Sequence, residues 1–147
     1  MHLNDMSDPA FKKVDIPFKN DAYVLYDVHI TDDPAFKTID SLYIISMYNS
    51  TRRPALITQL KNAGLTKQAR ILINYGYKQG QKEGIVNTTA DLLHANKMIC
   101  MLEQENDNPV VILEDDCEFC ASKKELAYAE VLALSGHADG VSLGALM

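Results

Sequence analysis

Three consecutive carboxylates, Glu114, Asp115 and Asp116, follow the apolar run Val110-Val111-Ile112-Leu113. Acids this close repel one another unless a cation or solvent screens them. A hard divalent cation takes carboxylate oxygens and leaves coordination positions for phosphate oxygens. These residue types therefore suit a metal–diphosphate site, although a solvated acidic strand end would carry the same residues. Pro109 and the turn-forming Asn106-Asp107-Asn108 bound the apolar run on its other side. Four apolar residues so bounded suit a strand buried on both faces, as in a parallel sheet. Ligands of open α/β sheets bind beyond the carboxyl ends of such strands, where these acids fall.

A second group of polar residues sits at another strand end. Tyr43-Ile44-Ile45-Ser46-Met47 reads as a strand, Tyr48 to Thr51 as a polar loop, and Arg52-Arg53 as the opening of a helix. A helix start favours anions, so a nucleotide phosphate or base edge could rest on the two arginines; two exposed charges are the plainer reading. Pro54 fits the first turn, Gly64 the stop, and Ser50 or Thr51 the cap. Residues 69–75 read as the next strand, and Gly76 to Gly84 as a mobile loop. Thr88 and Asp91 resemble a capping box for a helix to about Glu105, with Leu92, Ala95, Ile99 and Leu102 on one face. His94 lies on that helix, and a lone histidine on a partly apolar helix is usually a hydrogen-bonded structural residue. Ser122 and Glu125 would cap a third helix, and Val141 to Leu143 a last short strand. Strands alternating with helices at this spacing imply an α/β fold with a mostly parallel, right-handed sheet.

The order of these elements, with Leu113-Glu114-Asp115-Asp116 as the most specific part and Arg52-Arg53 as a weaker one, resembles the family 25 glycosyltransferases. That family includes lipooligosaccharide and collagen galactosyltransferases. The resemblance covers roughly residues 42–144. Ser46 stands where the family usually has Asn. Asn87 to His94 stands where the family has a Gly-Glu-x-Gly-Cys-x-x-Ser-His-like segment, with the His kept and Leu93 in the Ser position. The match ends near Gly144, so the resemblance is to a C-terminally shortened member, lacking the portion that supplies acceptor contacts and the catalytic base.

The resemblance implies a GT-A-like, Rossmann-like donor-binding half. Glu114 and Asp116 would hold Mn²⁺ or Mg²⁺ across the two phosphates of a UDP-hexose, Asp115 would meet sugar hydroxyls, and Arg52, Arg53 and His94 would line the nucleotide-sugar. The implied activity is metal-dependent hexosyl transfer, such as galactose, to a glycan or protein acceptor. No residue can be assigned as the base, so another chain or a second copy would have to complete the enzyme. The alternative is a catalytically inactive glycosyltransferase-like domain reused as a structural or assembly protein.

Residues 1–41 read as an N-terminal extension to a domain over 42–147. They hold Pro9, Pro17 and Pro34 and a short repeat: Asp8-Pro9-Ala10-Phe11-Lys12-Lys13-Val14-Asp15 returns as Asp33-Pro34-Ala35-Phe36-Lys37-Thr38-Ile39-Asp40. Each copy could offer a Phe anchor to a protein partner or to another copy of the chain, with avidity from linkage, or simply make an Asp-Pro turn twice. Between them, Ala22 to Ile30 is rich in β-branched and aromatic residues and reads as a strand that can join the sheet.

The net charge of −6 disfavours nucleic-acid binding, which needs a basic surface. No apolar run nears the roughly 18 residues of a membrane span, and the N-terminus lacks the basic and apolar regions of a secretory signal. The expected location is the cytoplasm, or a particle assembled there. Cys100, Cys117 and Cys120 are too few for a zinc site or a disulfide scaffold, and the Cys117-Glu118-Phe119-Cys120 pair suits two reduced, partly buried thiols. No Gly-x-Gly-x-x-Gly or Walker-type loop is present.

Overall fold

The structure, a computed structural model, describes residues 4–18, 20, 22–79, 82, 84–106 and 108–117. The expected third helix, the last strand and Cys120 lie outside the described residues. A 3-10 turn, Asn4–Ser7, precedes β1 (Phe11–Val14), β2 (Tyr23–His29) and β3 (Ser41–Met47). Then come α1 (Arg53–Ala63), β4 (Gln68–Asn74), the short α2 (Gly76–Gln79), α3 (Thr88–Leu102) and β5 (Val110–Glu114). The five strands form one sheet in the order β1-β2-β4-β3-β5.

This is a mixed α/β fold. β3 pairs in parallel with both β4 and β5, while β2 runs antiparallel to β4 and β1 antiparallel to β2. The sequence led to a mostly parallel sheet; among the described residues the parallel part is the three strands connected through helices. The antiparallel part comes from residues 1–41, whose β2 pairs along its length with β4, Tyr23 against Asn74 and His29 against Gln68.

Two apolar layers hold the sheet. On one face Leu56, Ile57 and Leu60 of α1 pack with Ile44, Ile71, Ile73 and Leu113. On the other, Ala95, Met98 and Ile99 of α3 pack with Leu25, Tyr43, Ile45 and Leu72. Successive side chains of β3 and β4 thus feed opposite layers, which is why these strands read as continuous apolar runs rather than as alternating ones. Full burial of each Leu or Ile stabilises the fold by about 1.5–3 kcal/mol relative to exposure.

The direction of strand addition reverses at β3: α1 leads to β4 on one side, and α3 leads across to β5 on the other. In open α/β sheets a reversal of this kind marks the place, at the carboxyl ends of the strands, where ligands bind; here it falls between β3 and β5. α1 stops at Gly64, which takes the left-handed conformation (φ 57°) and donates its N–H to Leu60 O at 2.8 Å. The helix start differs from expectation. Arg52 occupies the cap position without a side-chain cap bond, and Ser50 Oγ instead accepts from the Arg52 N–H at 3.2 Å.

The two copies of the repeat fold differently. The first makes an Asp8 turn, with the Ala10 N–H donating to Asp8 Oδ1 at 2.9 Å, and continues as β1. The second runs along the end of α1, where the Phe36 N–H donates to Leu65 O at 2.9 Å and the Phe36 ring enters the core. Phe11 packs against the same core, so both aromatic anchors are engaged within the chain.

Candidate functional site

Two polar clusters sit at the carboxyl ends of the parallel strands. The first joins β3, β5 and the start of α1. Asp115 continues the β5 pairing by one bond, its N–H donating to Ile45 O at 3.2 Å. Its side chain turns inward, and Ser46 Oγ donates to Asp115 Oδ2 at 2.6 Å. Arg53 Nη1 donates to the same Ser46 Oγ at 3.0 Å. The Arg53 guanidinium is buried and grips Asp5 in a fork, Nε to Oδ2 at 2.8 Å and Nη2 to Oδ1 at 3.1 Å. Planar two-point pairing of this kind is the strong mode of arginine–carboxylate recognition. Arg52 stays exposed, its Nη1 3.9 Å from Asp115 Oδ1.

Glu114 and Asp116 flank Asp115 and point outward into solvent. A turn follows, closed by the Cys117 N–H donating to Glu114 O at 3.1 Å. Burial, then the charges of Asp116 and Asp115, push the Glu114 carboxyl above the usual range. The alternation of a strand end explains the split: the middle acid faces the interior network, and its neighbours face out. Among the described residues no group of three or more His, Cys, Asp or Glu is placed to hold a metal ion.

The second cluster joins β2, β4, the segment after α2 and the start of α3, and the sequence reading missed its centre. Lys82 lies in the glycine-rich segment read as a mobile loop, yet its ammonium is buried. It donates to Tyr23 Oη at 2.6 Å, to Asn74 Oδ1 at 2.9 Å and to Asp91 Oδ1. Asn74 Nδ2 donates to Asp91 Oδ2 at 3.0 Å, and the Gly76 N–H donates to Asn74 Oδ1 at 2.8 Å. Gly76 sits at φ 82°, and a Cβ there would lie 3.1 Å from Met47 Cε, so this turn both needs and fits glycine. Asp91 therefore anchors Lys82 and does not form the expected capping box. Asn87 caps α3 instead, its Oδ1 accepting from the Ala90 N–H at 2.8 Å.

His94 belongs to this second cluster. Its Nδ1 is 2.6 Å from Tyr23 Oη, and the two rings lie nearly parallel. Burial and the cations Lys82 and Lys97 hold the imidazole below its ordinary value, against the pull of Asp91. Burial also lowers the Lys82 ammonium, opposed by its bond to Asp91. Tyr23 is pushed well above the phenol range by burial and by Asp91, so it keeps its proton.

The structure thus brings Arg52, Arg53, Glu114, Asp115 and Asp116 together and places His94 elsewhere. β5 and β2 are three strand spacings apart, roughly 14 Å. A cavity of about 290 Å³ runs beside β1 and β2, from Lys13 to Leu25, toward the far edge of the sheet from the acids. No family model matches this chain, and no curated protein and no solved structure matches it. No helix among the described residues is long and apolar enough to cross a membrane.

Proposed function

We propose that this chain is a glycosyltransferase-like, nucleotide-sugar-binding domain whose Glu114 and Asp116 hold the donor's diphosphate through Mn²⁺ or Mg²⁺. The observation that carries this reading is the reversal of strand addition at β3. It sets the acidic end of β5 beside the β3–α1 loop, with Arg52 3.9 Å from Asp115. The donor set fits a hard cation: two solvent-facing carboxylates, one of them held above the usual carboxylate range by partial burial and then by the charges of Asp116 and Asp115. Two protein carboxylates leave the remaining positions to phosphate oxygens and water. The cation would offset charge developing on the leaving diphosphate. Asp115, fixed by Ser46, orders the turn that carries the two ligands. Arg52, exposed beside Asp115, is the cation that would meet a phosphate oxygen or base edge. Transfer of the hexose to a glycan or protein acceptor would need a base outside the described residues.

The second reading, an inactive domain serving assembly, is favoured by one observation. The Arg53 guanidinium, expected to face a nucleotide, grips Asp5 instead. Calorimetric titration of UDP and UDP-galactose, with and without Mn²⁺, tests the first reading. Metal-dependent binding weakened about tenfold or more in Asp116→Ala is expected, since lost ligand-sphere contacts cost roughly that much in affinity. Absence of binding in every condition would sink it.

A further inference from the structure

We propose that Asp5, in the turn Asn4–Ser7, is a positioning residue for the acidic turn at the end of β5. Through Arg53 and Ser46 it sets how Asp115 is held, and with it the affinity of Glu114 and Asp116 for a divalent cation. The cation half of this inference rests on the reading above; the coupling of the two turns does not.

Every link between the turns is a hydrogen bond with one direction. A guanidinium can only donate, so Ser46 Oγ accepts from Arg53 Nη1 at 3.0 Å. The single hydroxyl proton of Ser46 is then directed to Asp115 Oδ2 at 2.6 Å. Asp115 is held by its backbone as well, its N–H donating to Ile45 O at 3.2 Å, and the turn beyond it closes from the Cys117 N–H to Glu114 O. At the other end the two-point pairing with Asp5 fixes the plane of the guanidinium. Asp5 is kept there because its neighbour Met6 is buried in the core on the α1 side of the sheet. One continuous path thus runs from the N-terminal turn through α1 and β3 to the acids.

The charges give this path its consequence. The Arg53 side chain is 1% exposed, so its charge has to be answered by a carboxylate inside the fold. Asp5 supplies that carboxylate and leaves Asp115 to the Ser46 hydroxyl. A contact that only fastened the N-terminal turn would be complete with Asp5 and Arg53. Arg53 also reaches Ser46, the residue that holds Asp115. With Asp5 neutralised, the carboxylate one hydroxyl away is Asp115, and the guanidinium draws it out of its bond to Ser46. The turn that carries Glu114 and Asp116 loses its inner anchor, and uncompensated positive charge remains beside it. Both changes weaken a cation there.

The test uses the full chain with Mn²⁺ alone and no nucleotide. Amide hydrogen exchange, followed by NMR without metal, compares the Asp115 and Cys117 N–H groups with core amides of β4 in the wild type and in Asp5→Asn. Exchange at Asp115 and Cys117 should rise at least roughly threefold more than in β4, as local opening does. Calorimetric titration should show Mn²⁺ weakened about two- to thirtyfold in Asp5→Asn, the range for residues along a contiguous network. Ser46→Ala, which removes the direct partner of Asp115, should cost about tenfold or more. Adding Asp5→Asn to Ser46→Ala should cost nothing further, because the path is already cut. Exchange that rises equally in β4 and in the acidic turn, or does not rise in the turn, overturns the coupling. Mn²⁺ affinity unchanged in Asp5→Asn, or losses that add in the double variant, overturns the effect on the cation. If the wild type binds no Mn²⁺, the cation-site reading fails and the cation half fails with it, while the exchange result still decides the coupling.

Discussion

The two polar clusters at the carboxyl ends of the strands are built on opposite plans. Around Lys82 the ammonium N–H groups and both Asp91 oxygens are turned inward on one another. At the end of β5 only Asp115 is turned inward; Glu114 and Asp116 keep their oxygens for solvent. A cluster closed on itself stabilises and positions. A cluster that leaves charged oxygens outward, at a like-charge cost, has capacity to bind. The contrast separates the part of this sheet end that is closed on itself from the part that leaves carboxylates to solvent, where the proposed ligand would bind.

The largest effect that would break this contrast is loss of the closed cluster. The Lys82 and Asp91 side chains are 3% and 8% exposed, so Lys82→Met leaves an uncompensated buried carboxylate. Removing one partner of such a pair costs about 3–5 kcal/mol. Urea unfolding should show a loss of that size, with more than half recovered in Lys82→Met/Asp91→Leu, because replacing both charges restores balance. A loss under about 1 kcal/mol would mean that the cluster is open to water and not the rigid half of the comparison.

Asp5→Ala should come next. Arg53 is almost fully buried, but Asp5 is about a quarter exposed, and Arg53 keeps Ser46 Oγ and the Met47 carbonyl at 2.5 Å as acceptors. A loss of about 1–2 kcal/mol is expected, the range for a hydrogen bond to a charged group discounted for solvent. The same variant sharpens the functional contrast. If UDP binds more tightly once Asp5 is gone, Arg53 is released toward the ligand and counts with Arg52; if affinity is unchanged, Arg53 is purely a brace.

Much of the scaffold behind these clusters was legible in the chain. Pro54, Gly64 and the spacing of Leu56, Ile57 and Leu60 located α1, and the apolar runs located β3, β4 and β5. These signals are local, since each reports its own element's period or end. The clusters were less legible because their bonds are not local. Tyr23 and His94 are 71 residues apart, and Arg53 and Asp5 are 48 apart. Asp91 fits a capping box by spacing, yet a buried ammonium outcompetes an exposed backbone N–H for its carboxylate. Lys82 among glycines carried the composition of a solvated loop, and only a sheet end with three acceptors converging on it makes that lysine structural. The repeated Asp-Pro-Ala-Phe-Lys is silent for the same reason: one Phe ring is core and the other packs on it, which the motif alone cannot reveal.

A smaller effect concerns His94. Its folded-state value lies below the ordinary imidazole value, so the unfolded chain binds more protons as pH falls. The stability it contributes is therefore present above about pH 6.5 and is lost as pH falls through the folded value. Comparing urea midpoints at pH 7.5 and 5.5 should show a steeper acid loss in the wild type than in His94→Phe. Equal slopes would mean that the ring is solvated and free of the Tyr23 network.

The smallest expected effect tests the open cluster most directly. The Glu114 carboxyl is raised by burial and by Asp116 and Asp115, so the fold favours its protonated form. That contribution is fully present below the ordinary carboxylate value and is lost as pH rises through the raised one. Glu114→Gln removes the repulsion, so it should be slightly more stable than the wild type at neutral pH, by about 0.5 kcal/mol or less at an exposed position, and indistinguishable from it near pH 4. A divalent cation should give the wild type a similar relief by another route. Adding Mg²⁺ at neutral pH should raise the wild-type melting temperature and leave Glu114→Gln nearly unmoved, because a ligand bound only to the native state stabilises it. If Mg²⁺ shifts both proteins equally, the ion acts as bulk salt. The acids at the end of β5 would then be a solvated terminus, and the difference between the two clusters would be one of exposure alone.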